Sequence, residues 1–173
     1  SEQLATLGAD LSTWSNLDMS NVKISALAEN LDASLDLFAD VILHPSFPAD
    51  EFERLRKQQI AAIQREKATP FQMALRVFPP LLYGRDHAYG LPLTGSGSEA
   101  SVAALTRDAL ADFHRTWFRP GNATLIVVGA TTLAQITPKL EKLFGQWESG
   151  DVPLKNVASV EQKPAMEVYL IDK

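Results

Sequence analysis

The chain contains no cysteine. That excludes a disulfide, a thiolate nucleophile, a thiolate zinc site and an iron–sulfur cluster. It leaves the compartment open, since cytosol and periplasm both accept cysteine-free proteins. Histidine is scarce: His44, His87 and His114 are the only three among 173 residues. None stands three or four residues from another, so no helix face can present two imidazoles to a metal. Basic residues are outnumbered, 16 against 21 acidic, for a net charge of −5. A nucleic acid is therefore not expected as the main partner, because phosphate binding needs a basic face. No apolar run approaches the ~18 residues of a membrane span. None of the given residues reads as a signal peptide, an internal repeat or a low-complexity tract.

What remains is ordinary for a folded domain: 46% hydrophobic and 21% charged residues. A chain of this length buries roughly 70% of its unfolded surface, enough for one real core. Ser1 to Leu7 reads as the tail of a helix stopped by Gly8, and so as a piece of something longer. Asp10 to Trp14 and Met19 to Leu27 read as a hairpin, with Val22, Ile24 and Ala26 on one face. Asn30 caps an expected helix to Leu43, with Leu31, Leu35, Phe38, Ala39 and Ile42 as its buried stripe. His44-Pro45 ends it, and Pro48 opens a longer helix to about Lys67. On that helix Phe52, Leu55 and Ile63 share the apolar side, and its many charges of mixed sign read as a solvated face.

A third helix, from Pro70, is expected to break or kink at Pro79-Pro80. Tyr83 to Ala100 reads as a long loop and Thr106 to Phe118 as a helix. Ala123 to Val128 is wholly apolar and reads as a strand covered on both faces. Thr132 to Phe144 is helical in pattern, kinked at Pro138 or starting late from a Thr137 cap. Residues 149–165 read as a linker and Met166 to Ile171 as a further strand.

Chemistry is harder to find. Each histidine reads as a surface or capping residue. Gly95-Ser96-Gly97-Ser98 lacks the lysine and preceding strand of a phosphate loop. Ser12, Ser25 and Ser101 lack the G-x-S-x-G frame of a nucleophile. Read from its residues alone, the chain is a layered α+β domain with no active site.

The order and wording of the segments resemble one family. Leu35 to Phe47 (LDLFADVILHPSF) is similar to a helix end of the M16 metallopeptidases, the insulinase, pitrilysin and mitochondrial-processing-peptidase group. Arg54 to Pro70 resembles that family's long helix, and Tyr83 to Gly90 followed by Gly95 its F-x-G-H-P-Y-G loop. Leu105 to Leu110, Trp117 to Ala123 and Val127 to Gly129 are similar to its LTRDDL, Y-x-P-x-N and V-v-G-d pieces. The resemblance implies the LuxS/MPP-like metallohydrolase fold, a mostly antiparallel sheet covered by helices, here truncated at the N-terminus. It implies a peptidase-like domain over residues 1–148, the linker, and the first strand of a following domain over 166–173.

Active members carry H-x-x-E-H on a helix that would precede Ser1. Their third zinc ligand is a glutamate eight residues before the proline, where this chain has Ala62. A methyl group cannot ligate zinc. Gln59 and Glu66 lie about one turn away on either side, roughly 5–6 Å too far for a ~2.0–2.2 Å bond. The resemblance therefore implies an inactive domain with no catalytic, cofactor-binding or metal-binding residue in this segment. Zinc would sit in a catalytic half or partner subunit, and the two together would enclose a peptide substrate. Two alternatives stay open: a catalytic M16 domain whose ligand helix is misregistered, and a non-proteolytic assembly homologue.

Overall fold

The computed structural model describes residues Glu2 to Ile171. It is an α+β chain whose contacts fall into two compact units.

The first unit holds the residues up to Ser15, then Met19–Phe47 and Asp108–Pro153. Helix α1 (Glu2–Thr6) ends where Gly8 takes φ of +59°, a conformation that costs other residues a steric penalty. Strands β1 (Asp10–Ser15) and β2 (Ser20–Ser25) form an antiparallel hairpin with Trp14 opposite Asn21. Val22 and Ile24 are half-buried and Lys23 and Ser25 exposed, as the alternation requires. Helix α2 (Leu31–Leu43) buries Leu35, Phe38 and Ala39. Helix α7 (Leu133–Phe144) packs on it through Ile136 and an edge-on Phe38–Phe144 contact at 6.3 Å. Helix α6 (Arg107–Trp117) carries His114.

The second unit holds Asn16–Asp18, Pro48–Arg107 and the chain from Leu154 onward. Helix α3 (Ala49–Ala68) is its spine, with Ile63 fully buried. Helix α4 (Pro70–Tyr83) and the short α5 (Glu99–Ala104) pack against it. Ser98 starts α5 by accepting the Ser101 N–H at 3.0 Å.

Several expectations are corrected. Asn30 does not cap α2 with its side chain; its Nδ2 donates to the Leu7 carbonyl at 3.0 Å instead. Leu55 is exposed, because the inward line of α3 runs Phe52, Arg56, Gln59, Ile63 and Glu66 at helical spacing. Of the break or kink expected at Pro79-Pro80, the break does not occur: helix α4 continues through both prolines to Tyr83. Proline at 79 deprives the Leu75 carbonyl of its helical donor, and the Leu93 N–H takes that place at 3.1 Å. Helix α7 starts at Leu133 rather than from a Thr137 cap, since Gln135 Oε1 accepts the Thr132 N–H at 3.1 Å.

Ala123 to Val128 joins no sheet among the described residues, and Ile126 and Val128 are exposed. An apolar run shows only that a segment tolerates burial. A strand also needs another backbone about 4.8 Å away to complete its ladder. Met166 to Ile171 likewise pairs with no strand among the described residues; Asp172 and Lys173, the last two residues of the expected 166–173 segment, lie outside them.

Candidate functional site

The position at which the resemblance expects a metal ligand lies on the inward side of α3, at the partly buried Ala62. The polar side chains one turn to either side are both engaged. Gln59 Nε2 donates to the Ser96 carbonyl at 3.1 Å. Glu66 Oε2 accepts from Arg76 Nη1 at 2.7 Å, from Ser96 Oγ at 2.7 Å and from Thr94 Oγ1 at 3.1 Å. Arg76 also donates to Ser96 Oγ and to the Gly97 carbonyl, each at 2.7 Å. Helix α3 therefore uses this face to hold the 94–97 loop, and α4 contributes the cation.

The Glu66 and Arg76 side chains keep only 13% and 11% of their surface exposed. Burial pushes the Glu66 carboxyl up. The hydrogen bonds from Ser96, Arg76 and Thr94, with the Arg76 charge, outweigh it and hold the group below the ordinary glutamate range. Glu66 is thus an ionised carboxylate whose Oε2 accepts three hydrogen bonds. Among the described residues, no group of three or more His, Cys, Asp or Glu side chains stands together to hold a metal. The donor set at Ala62 does not fit zinc, which needs three protein ligands in a catalytic site.

The histidines are engaged by other groups. His44 follows the last turn of α2, exposed, 3.4 Å from Asp40. His114 Nε2 hydrogen-bonds the Ile42 carbonyl at 2.7 Å, satisfying a helix-end acceptor, while its ring stacks on Phe118. His87 stacks on Tyr83 with centroids 5.3 Å apart. The reading of His44 and His114 as capping or surface residues matches these contacts.

The residues that the sequence reading passed over are Arg76, Thr94 and Ser96. Ser96 sits in the Gly95–Ser98 segment, whose wording by itself suggests only a phosphate cradle. Arg76 falls three residues before the buried Pro79, so helical spacing already put it on the inward face of α4. The α3 charges were read together as solvated, which holds for most of them but not for Glu66.

The residues from 104 to 173 match the model of the peptidase M16 inactive domain, and residues 1–78 match that of insulinase, peptidase family M16. The stromal processing peptidase of pea (Pisum sativum) is 25% identical over 83% of this chain, which spans 11% of that protein. The uncharacterized zinc protease YmxG of Bacillus subtilis is 22% identical over 86% of this chain and 35% of its own length. A crystal structure of a peptidase M16 inactive domain from Pseudomonas fluorescens superposes with a TM-score of 0.80 at 26% identity, covering 93% of this chain and 38% of that one. The first half of the periplasmic protease PqqL from Escherichia coli shares the fold, with a TM-score of 0.75 at 18% identity over 94% of this chain and 36% of that one. The chain thus spans little more than a third of these proteins at most. Together with the hairpin, the helix order and the loop anchored on α3, the two matched segments show that this chain belongs to peptidase family M16, its residues from 104 onward matching the family's inactive domain.

Proposed function

We propose that this chain is a non-catalytic domain of an M16-type zinc metalloendopeptidase, which helps a catalytic half enclose a peptide substrate. The observation that carries the reading is the occupancy around Ala62. A methyl group stands at the expected ligand position, and the flanking Gln59 and Glu66 are committed to the 94–97 loop. Zinc then belongs to the catalytic half or partner subunit, whether that half lies on the same chain or another. The division into a domain over 1–148, a linker over 149–165 and the start of a further domain from 166 is part of the proposal. The irregular, exposed course of the chain from Ser149 supports it. No helix among the described residues is long and apolar enough to cross a membrane.

A misregistered catalytic domain is the weaker reading, because recruiting Glu66 to a metal would strand Arg76, which is nearly buried beside it. Metal analysis of the purified protein, with a quenched-peptide cleavage assay, tests the proposal. No stoichiometric zinc and no turnover are expected. Bound zinc, together with turnover that a chelator abolishes, would overturn it.

A further inference from the structure

We infer that Leu154–Ala158 is a detachable strap, latched at two points onto a catch built from Asp18, Tyr83, His87 and Tyr89. The catch is complete without the strap. Tyr83 stacks on the His87 ring, with centroids 5.3 Å apart and planes 16° apart. The Tyr89 N–H donates to His87 Nδ1 at 3.0 Å, and Tyr89 Oη donates to Asp18 Oδ1 at 2.8 Å. Behind these side chains the loop closes tightly. The Gly90 N–H donates to the His87 carbonyl at 2.8 Å, and a Cβ on Gly90 would fall 2.0 Å from the Gly84 carbonyl oxygen. The imidazole is thus oriented by groups outside the strap. With Nδ1 accepting, the neutral ring carries its proton on Nε2, a tautomer assigned from these partners.

The strap adds two contacts to this surface. His87 Nε2 lies 2.9 Å from the Ala158 carbonyl oxygen. Lys155 Nζ donates to Asp18 Oδ1 at 3.0 Å and to the Asp18 carbonyl at 3.4 Å. In extended chain these two points are roughly 10 Å apart, so neither enforces the other. Burial does little of the holding: Leu154 is 95% exposed, Val157 still exposes 47% of its surface, and the strap has no secondary structure. Lys155 and Asp18 keep 58% and 44% of their side-chain surface, which makes their pair a weak one. A segment held this way opens far more readily than the helices beneath it. Its release frees the chain onward to Ile171, including Met166, Val168 and Leu170, each at least 87% exposed.

The test uses the full chain with Lys155→Gln, His87→Phe and the double substitution; phenylalanine retains the stacking on Tyr83 and loses the donor. Backbone order parameters at Val157 to Ser159 and cleavage after Glu161 by a glutamyl endopeptidase report release. We expect order parameters near 0.8 in the parent, falling below about 0.6 in the double variant. Cleavage should rise about threefold for each substitution and about tenfold for both. About 1 M salt should mimic Lys155→Gln and not His87→Phe. Unchanged order and cleavage in the double variant would overturn the strap, as would a parent already below about 0.6 in this segment. An effect from only one substitution would overturn the two-point latch. A lower melting midpoint with altered Tyr83 and Tyr89 ring signals would show instead that these residues support the loop.

Discussion

Two carboxylates of the second unit each collect a cation and at least one hydroxyl on one oxygen, and they do opposite work. Glu66 accepts from Arg76, Ser96 and Thr94. Asp18 accepts from Lys155 and Tyr89. The distances are alike, 2.7 Å for the Glu66–Arg76 pair and 3.0 Å for Asp18–Lys155. Exposure separates them: about an eighth of the side-chain surface in the first pair, about half in the second. Water screens the Asp18 pair and can replace either partner. It can replace none of the three partners of Glu66 without opening α3, α4 and the loop together. The same chemistry is therefore structural in one place and readily reversible in the other.

The largest effect that would sharpen this contrast is Arg76→Met. It leaves the Glu66 charge nearly buried without its cation, which should cost about 2–4 kcal/mol and lower the melting midpoint by roughly 5–15 °C. A midpoint within about 2 °C of the parent, measured by calorimetry, would erase the distinction between the two clusters.

Acid comes next. The Glu66 carboxyl is held below the ordinary glutamate range, so the unfolded chain binds the proton more readily. Its contribution is complete above the unfolded value, about pH 4–5, and drains away as pH falls through the folded value. Thermal melts between pH 6 and pH 3 should show Glu66→Gln losing less stability than the parent over that window. Parallel acid limbs would count against an ionised Glu66.

Ser96→Ala removes a donor to Glu66 and should cost about 1–2 kcal/mol, read from denaturant midpoints at constant slope. Asp18→Asn marks the small end of the series. Hydrogen bonds from Tyr89 and Lys155 hold the Asp18 carboxyl below the usual aspartate range, and they do so with about half of its surface open to water. Its midpoint should move by less than about 2 °C. A loss as large as that of Arg76→Met would show that exposure is not what separates the two sites.

What the sequence determined by itself was local. Alternation at Val22, Ile24 and Ala26 marked the hairpin, and Leu35, Phe38 and Ala39 marked the buried stripe of α2. Pro48 and Pro70 marked helix starts, because a fixed φ and a missing N–H act on the residue that carries them. The family wording is also local, and so was the methyl group at Ala62.

Tertiary structure decided everything that needed a second segment of backbone. Pro79-Pro80 reads as a break or a kink, and the break falls because the Leu93 N–H that replaces the lost donor comes from a distant loop. Ala123 to Val128 was read as a strand because apolarity is visible in the run itself, whereas a ladder partner is not. Glu66 was read among solvated charges because its burial depends on Arg76, Thr94 and Ser96, ten to thirty residues away along the chain. A side chain's own chemistry is written at its position; its dielectric surroundings and partners exist only once the chain has folded around it.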